Sequence, residues 1–171
     1  MDALRDQLLT MARYEAWATR RLLDHVERLS DDAYRRDVGL FFRSVHGTLN
    51  HLLVAQCKVW FGRFAHGRSV RVALNAEFET DRARLRTRLA ESAAAWAPWL
   101  AGVPDERLHG TLDYTTTQGV VQSTPFAPTL AHVFNHGTHH RGQVTAAITA
   151  LGHPAPELDL ILMLREEARP A

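Results

Sequence analysis

The segment Ala131-His132-Val133-Phe134-Asn135-His136-Gly137-Thr138-His139-His140-Arg141-Gly142-Gln143 places four of the chain's ten histidines within nine residues of a stretch with helical periodicity. Proline suits the first turn of a helix and glycine its C-terminal cap, so this helix is predicted from Thr124-Pro125 or Ala127-Pro128 to Leu151-Gly152. At about 100° per residue, Leu130, Val133, Phe134, Val144, Ala147, Ile148 and Leu151 fall on one apolar stripe. His140 lies about 45° from the centre of that stripe and His136 about 85°, whereas His132 and His139 lie roughly 125° and 145° away. His136 and His140 therefore stack one turn apart at the margin of the buried face, where two neutral imidazoles can point at one ion. His132 and His139 belong to the polar side, as supports of that pair or as groups in solvent.

The same periodicity predicts three further long helices. Asp2 to Leu29 carries Leu4, Leu8, Met11, Ala18, Leu22 and Leu29 on one stripe, with Tyr14 and Trp17 packing beside it. Ser30-Asp31-Asp32 opens a short helix within 31–40, before a break at Gly39. The second long helix starts at Ser44, or earlier at Leu40 or Phe41, and runs to about Ala65. Phe41, Phe42, Val45, Leu49, Leu52, Leu53, Val59, Trp60 and Phe64 make it apolar around much of its circumference, so it is expected to be buried on several sides. Residues 66–78 show no periodicity. The third helix is expected from about Glu77 to Leu100, with Phe78, Leu85, Leu89, Trp96 and Leu100 in its core stripe and Pro98 ending or kinking the last turn. Arg82, Arg84, Arg86 and Arg88 split into i,i+4 pairs on different faces, which reads as a solvated surface rather than a nucleic-acid site. Residues 101–124 place β-branched side chains around Gln118-Gly119 and suggest a small hairpin; a short tail helix follows within 156–168. The fold class expected is all-α, an antiparallel four-helix bundle forming a single domain over residues 1–171, with short extra helices and this hairpin.

A chain of 171 residues buries a sizeable core without disulfide or metal support. Twenty Lys+Arg against nineteen Asp+Glu give a net charge of +1, which supplies no attraction for nucleic acid or an anionic membrane. Cys57 is the single cysteine, so neither an intrachain disulfide nor a cysteine-based zinc site can form. The first residues, MDALRDQLLTMAR, are charged throughout, and no apolar run approaches the ~18 residues of a membrane span. A cytoplasmic location is expected.

A catalytic metal site needs a third protein ligand, and the second helix offers His46 and His51, about 140° apart and thus poorly placed to share one ion. The wheel leaves the choice open: His46 lies nearer Leu53, Cys57 and Trp60, and His51 sits among the small residues Ser44, Gly47, Thr48 and Ala55, which leave room for a ligand. The His-Glu-x-x-His pattern of zincins is absent. A di-iron bundle needs two Glu-x-x-His motifs, and only Glu106-Arg107-Leu108-His109 has that form, in a turn-rich stretch.

Thr48-Leu49-Asn50-His51-Leu52-Leu53, followed by Asn135-His136-Gly137-Thr138-His139-His140-Arg141-Gly142-Gln143, resembles the paired signature segments of the DinB/YfiT-like superfamily in residues, spacing and chain length. The resemblance implies a four-helix bundle holding one divalent ion on His51, His136 and His140, with zinc favoured and nickel or iron also suited to three imidazoles. It further implies a small-molecule substrate and a homodimer. Members of the superfamily are described as metal-dependent hydrolases, and some as S-transferases that use low-molecular-weight thiols, so both chemistries are expectations for this chain. The alternative is a non-catalytic metal- or ligand-binding bundle with a stress-response role. Asn135 and Gln143 are candidates to hydrogen-bond the ligand imidazoles or substrate. Arg141 is expected in a salt bridge within the bundle or on a substrate carboxylate, and Glu15 is a candidate base.

Overall fold

The computed structural model describes residues 3–169; the Asp2 start expected for the first helix lies outside them. α1 (Ala3–Val26) buries Leu8, Ala12, Ala18, Leu22, Leu23 and Val26 along one face. α2 (Asp31–Arg35) is shorter than expected, capped by the Ser30 side chain, which accepts from the Ala33 N–H. Arg43 follows in a left-handed conformation at φ 70, and the Ser44 side chain then caps α3 (Val45–Leu53) by accepting from the Gly47 N–H. The helix thus starts at Ser44 and not at Leu40 or Phe41. Phe41, expected in the apolar stripe, stands in the preceding loop with 83% of its surface exposed.

From α3 the chain continues through a π-helical stretch, Val54–Phe61, into α4 (Gly62–His66), which Gly67 ends at φ 60. Glu77 does not open the next helix. The Asn50 side chain reaches across from α3, accepts from the Phe78 and Glu79 N–H groups and donates to the Glu79 carbonyl, which holds this segment out of helical conformation. Phe78 consequently lies half-exposed, outside the core. The Asp81 side chain caps α5 (Arg82–Ala94), and a break at Ala95 leads into α6 (Trp96–Ala101). Pro98 sits in the first turn of α6, and α5 ends at Ala94, whose carbonyl is the one Pro98 cannot bond, so the break expected at the proline falls four residues ahead of it.

After α7 (Asp105–Leu108), β1 (Thr111–Thr115) pairs antiparallel with β2 (Val121–Pro125), Thr111 opposite Pro125 and Thr115 opposite Val121. Gly119, at φ 93, makes the turn that the Gln118-Gly119 pair predicted. α8 (Phe126–Ala150) and α9 (Leu160–Glu167) complete the chain; the tail helix begins later than expected.

α1 and α3 each pack against both α5 and α8. Leu22, Leu49, Leu53, Leu89 and Ile148 represent one aliphatic core, and Leu8, Phe64, Trp96, Phe126 and Phe134 a second, aromatic one. Between them along α1, the π-helical stretch and α8 lies a buried polar layer of Glu15, Thr19, Gln56 and Arg141. Among the described residues no helix is long and apolar enough to cross a membrane.

Candidate metal centre

His51 lies near the end of α3, while His136 and His140 lie one turn apart in the middle of α8. The packing of α3 on α8 brings their rings together: a ring nitrogen from each lies within 4.8 Å of the other two. His136 Nε2 stands 3.3 Å from His51 Nε2 and 3.1 Å from His140 Nε2. Two nitrogens bound at about 2.0–2.1 Å to one tetrahedral ion stand about 3.3 Å apart, so these spacings suit ligands of a single ion.

The outer nitrogens decide which way the lone pairs face. His51 Nδ1 lies 2.8 Å from the Leu74 carbonyl, which can only accept, so Nδ1 carries the proton and Nε2 presents its lone pair inward. His140 Nδ1 donates likewise to Gln143 Oε1 at 2.7 Å, while the Gln143 amide faces His139 Nε2 at 3.3 Å. His136 has one proton to place, and its Nδ1 is buried without a hydrogen-bond partner. With the proton on Nδ1 both Nε2–Nε2 contacts are facing lone pairs; with it on Nε2 a single N–H faces two acceptors, and Nδ1 is left as a buried acceptor without a donor. A cation between them would remove the conflict, and the anchored Nδ1 groups of His51 and His140 match the outer-sphere bonds by which proteins orient metal-ligating histidines. The donor set fits a divalent ion.

Electrostatics agree. Burial, followed by the neighbouring His140 and His51, pushes the His136 pKa down to about 3. Burial also pushes His140 down to about 4, against the opposing effect of the hydrogen bond it donates to Gln143, and lowers His51. The three rings are neutral near pH 7, the state in which imidazole binds metal.

His46 is placed elsewhere. Its Nδ1 lies 3.1 Å from the Tyr34 hydroxyl and its Nε2 lies 2.6 Å from Glu77, contacts made by elements distant in sequence that no helical wheel displays. His132 packs against Trp60 at 5.5 Å between ring centroids, and His139 against His140 at 4.9 Å. Asn135 is exposed. Arg141 forms the ion pair expected within the helices: it is 1% exposed, pairs with the fully buried Glu15 and donates to Thr138 at 3.1 Å. Glu15 also accepts from Gln56 and is therefore an ion-pair partner inside the fold rather than a base at the histidines. Sequence reasoning missed the Leu74 carbonyl, for which no linear signal exists, and Phe42, whose ring stacks on His51 at 3.9 Å.

Fold and site together describe a mainly helical protein with three convergent, neutral histidines. The DinB family profile matches residues 4–169, and the chain belongs to the DinB family. It is similar to protein DinB of Bacillus subtilis (strain 168), at 23% identity over 167 residues, covering 93% of this chain and 94% of that protein. Its fold resembles the crystal structure of a DinB-like protein from Bacillus cereus ATCC 10987, with a TM-score of 0.68, 19% identity, and coverage of 89% of this chain and 95% of the other.

Proposed function

We propose that this protein is a mononuclear metalloenzyme in which His51, His136 and His140 hold one divalent ion, with zinc first and nickel or iron as alternatives. The reaction is a hydrolysis or a thiol-dependent S-transfer on a small molecule. The observation that carries the reading is the convergence of three imidazole Nε2 atoms whose lone pairs have no sufficient set of donors. An ion held by neutral ligands keeps its charge and supplies Lewis acidity that acidifies water or a thiol. Among the described residues no fourth His, Cys, Asp or Glu joins the cluster, which favours an open coordination position over a closed structural site. The chain's own contribution is to orient the rings through Leu74 and Gln143 and to keep them unprotonated by burial.

The same reading takes the chain as a single domain, and the packing of α1 and α3 on both α5 and α8 supports an antiparallel four-helix bundle. A cytoplasmic homodimer without nucleic-acid or membrane partners completes the proposal. The test is turnover of a panel of small esters, amides and thiol acceptors by protein stripped of metal and then restored. Activity that returns with the ion and is absent from His140→Ala supports the enzyme. A restored, metal-loaded protein that turns over none of the panel and gains no absorption or stability change with any thiol supports the non-catalytic alternative.

A further inference from the structure

A cavity of about 760 Å³ lies beside the three-histidine cluster and is lined by none of its three members. Phe41, Phe42 and Leu74 give it an apolar wall, while Arg35, His46 and Glu77 lie among its polar lining. Phe42 and Leu74 also touch the metal centre. The Phe42 ring stacks on His51 with 3.9 Å between centroids and 15° between planes, and lies 5.7 Å from His140; the Leu74 carbonyl takes the His51 Nδ1 proton. One aromatic ring therefore stands between the cavity and two of the three candidate ligands.

That ring is held by its backbone. The Phe42 carbonyl accepts from the Ser44 N–H at 2.8 Å and lies so close to α3 that a Cβ on Gly47 would collide with it. Arg43, next in sequence, keeps its left-handed φ of 70 because the Leu40 carbonyl takes its N–H at 2.7 Å, its own carbonyl accepts from Val38, and Asp37 binds its guanidinium at 2.9 Å. A conformation that L-residues rarely adopt persists when its surroundings over-determine it, and such positions cluster at ligand clamps. Phe42 is a built wall rather than a loose loop side chain.

We propose that Phe42 is a specificity-determining residue: its ring divides the cavity from the three-histidine centre and sets the size of the group that reaches the ion from that side. This rests on the reading that His51, His136 and His140 hold a metal. Small ligands pass beside the ring, and a ligand bearing a bulky apolar group is excluded until the ring is trimmed, when the cavity and the centre become one space.

The experiment uses cobalt(II)-loaded full-length protein, titrated with imidazole and with phenylimidazole, which offer the same donor at two sizes. Binding is read from the cobalt d–d absorption, with cobalt content and circular dichroism recorded for each protein. Phe42→Ala should keep one cobalt per chain and tighten phenylimidazole at least about tenfold relative to imidazole. Phe42→Leu, which preserves more of the packing, should fall between wild type and Phe42→Ala, and it carries the test if the alanine variant does not fold. Equal shifts for both ligands, no shift, or no spectral response to either ligand in cobalt-loaded protein overturns the role of Phe42 while leaving the metal site standing. Failure of wild type to take up cobalt overturns the metal reading and this inference with it, and the cobalt content distinguishes the two failures.

Discussion

His140 and Arg141 are consecutive in α8, yet they enter buried polar clusters of opposite kinds. Arg141 meets Glu15 in a charge-balanced pair, 1% and 0% exposed, with Gln56 and Thr138 adding hydrogen bonds around it. His140 joins two other neutral rings whose inward nitrogens oppose one another, with no charge in the cluster to reconcile them. The first cluster is held together by its own members; the second has the donor set to hold a cation. Burial of polar groups thus does not mark a functional site by itself. The distinguishing property is convergence of donors of one kind.

Breaking the charge-balanced cluster should have the largest effect. Arg141→Ala leaves the Glu15 carboxylate buried without its counter-charge, and a loss of about 3–5 kcal/mol in urea unfolding is expected. Combining Glu15→Leu with Arg141→Met should recover most of that loss, because a matched apolar pair removes both desolvated charges. The histidine cluster should respond to ligand instead. Zinc at about a hundred times its Kd should stabilise wild type by about 2.7 kcal/mol and leave His51→Ala and His140→Ala unmoved in a thermal melt.

The metal-free protein should also be acid-sensitive through these rings. Unfolded imidazoles titrate near 6.5, while His136 and His140 in the fold are held at about 3 and about 4. Between those values the unfolded chain binds more protons, so stability is complete above pH 6.5 and declines as the pH falls toward 4 and then 3. Urea midpoints across that range should show the decline weakened in a His136→Gln, His140→Gln double variant.

Two glycines of α8 sharpen the comparison at smaller cost. A Cβ at Gly137 would stand 2.6 Å from Glu15 Oε2 and 2.7 Å from Gln56 Nε2, so Gly137→Ala presses on the ion-paired cluster. It should destabilise by about 1–3 kcal/mol. Gly142 has nothing within 4 Å of its Cβ position, and Gly142→Ala should stabilise by up to about 1 kcal/mol through helix propensity.

Much of this was legible in the chain. The wheel of α8 separated His136 and His140 from His132 and His139 because that helix is regular from Phe126 to Ala150. The choice between His46 and His51 was not legible from periodicity. It depends on Glu77, Tyr34 and the Leu74 carbonyl, all supplied by distant segments. The small neighbours Ser44, Gly47, Thr48 and Ala55 lean toward His51, and the family resemblance makes the choice. Arg141 was foreseen in a salt bridge but without Gln56, which lies in a π-helical stretch where an α wheel misplaces each residue. Phe41 and Phe78 fall outside the core for a common reason: hydrophobic periodicity extends past a helix start, and the stop is set by Ser44 or by Asn50 acting on the backbone.

The central claim is that the second cluster is a cation site, and metal analysis of untagged, reconstituted protein tests it most directly. Wild type and His46→Ala should each hold about one ion per chain, while His51→Ala and His140→Ala hold none. Loss of the ion in His46→Ala with retention in His51→Ala, or no ion in wild type after reconstitution, would contradict it.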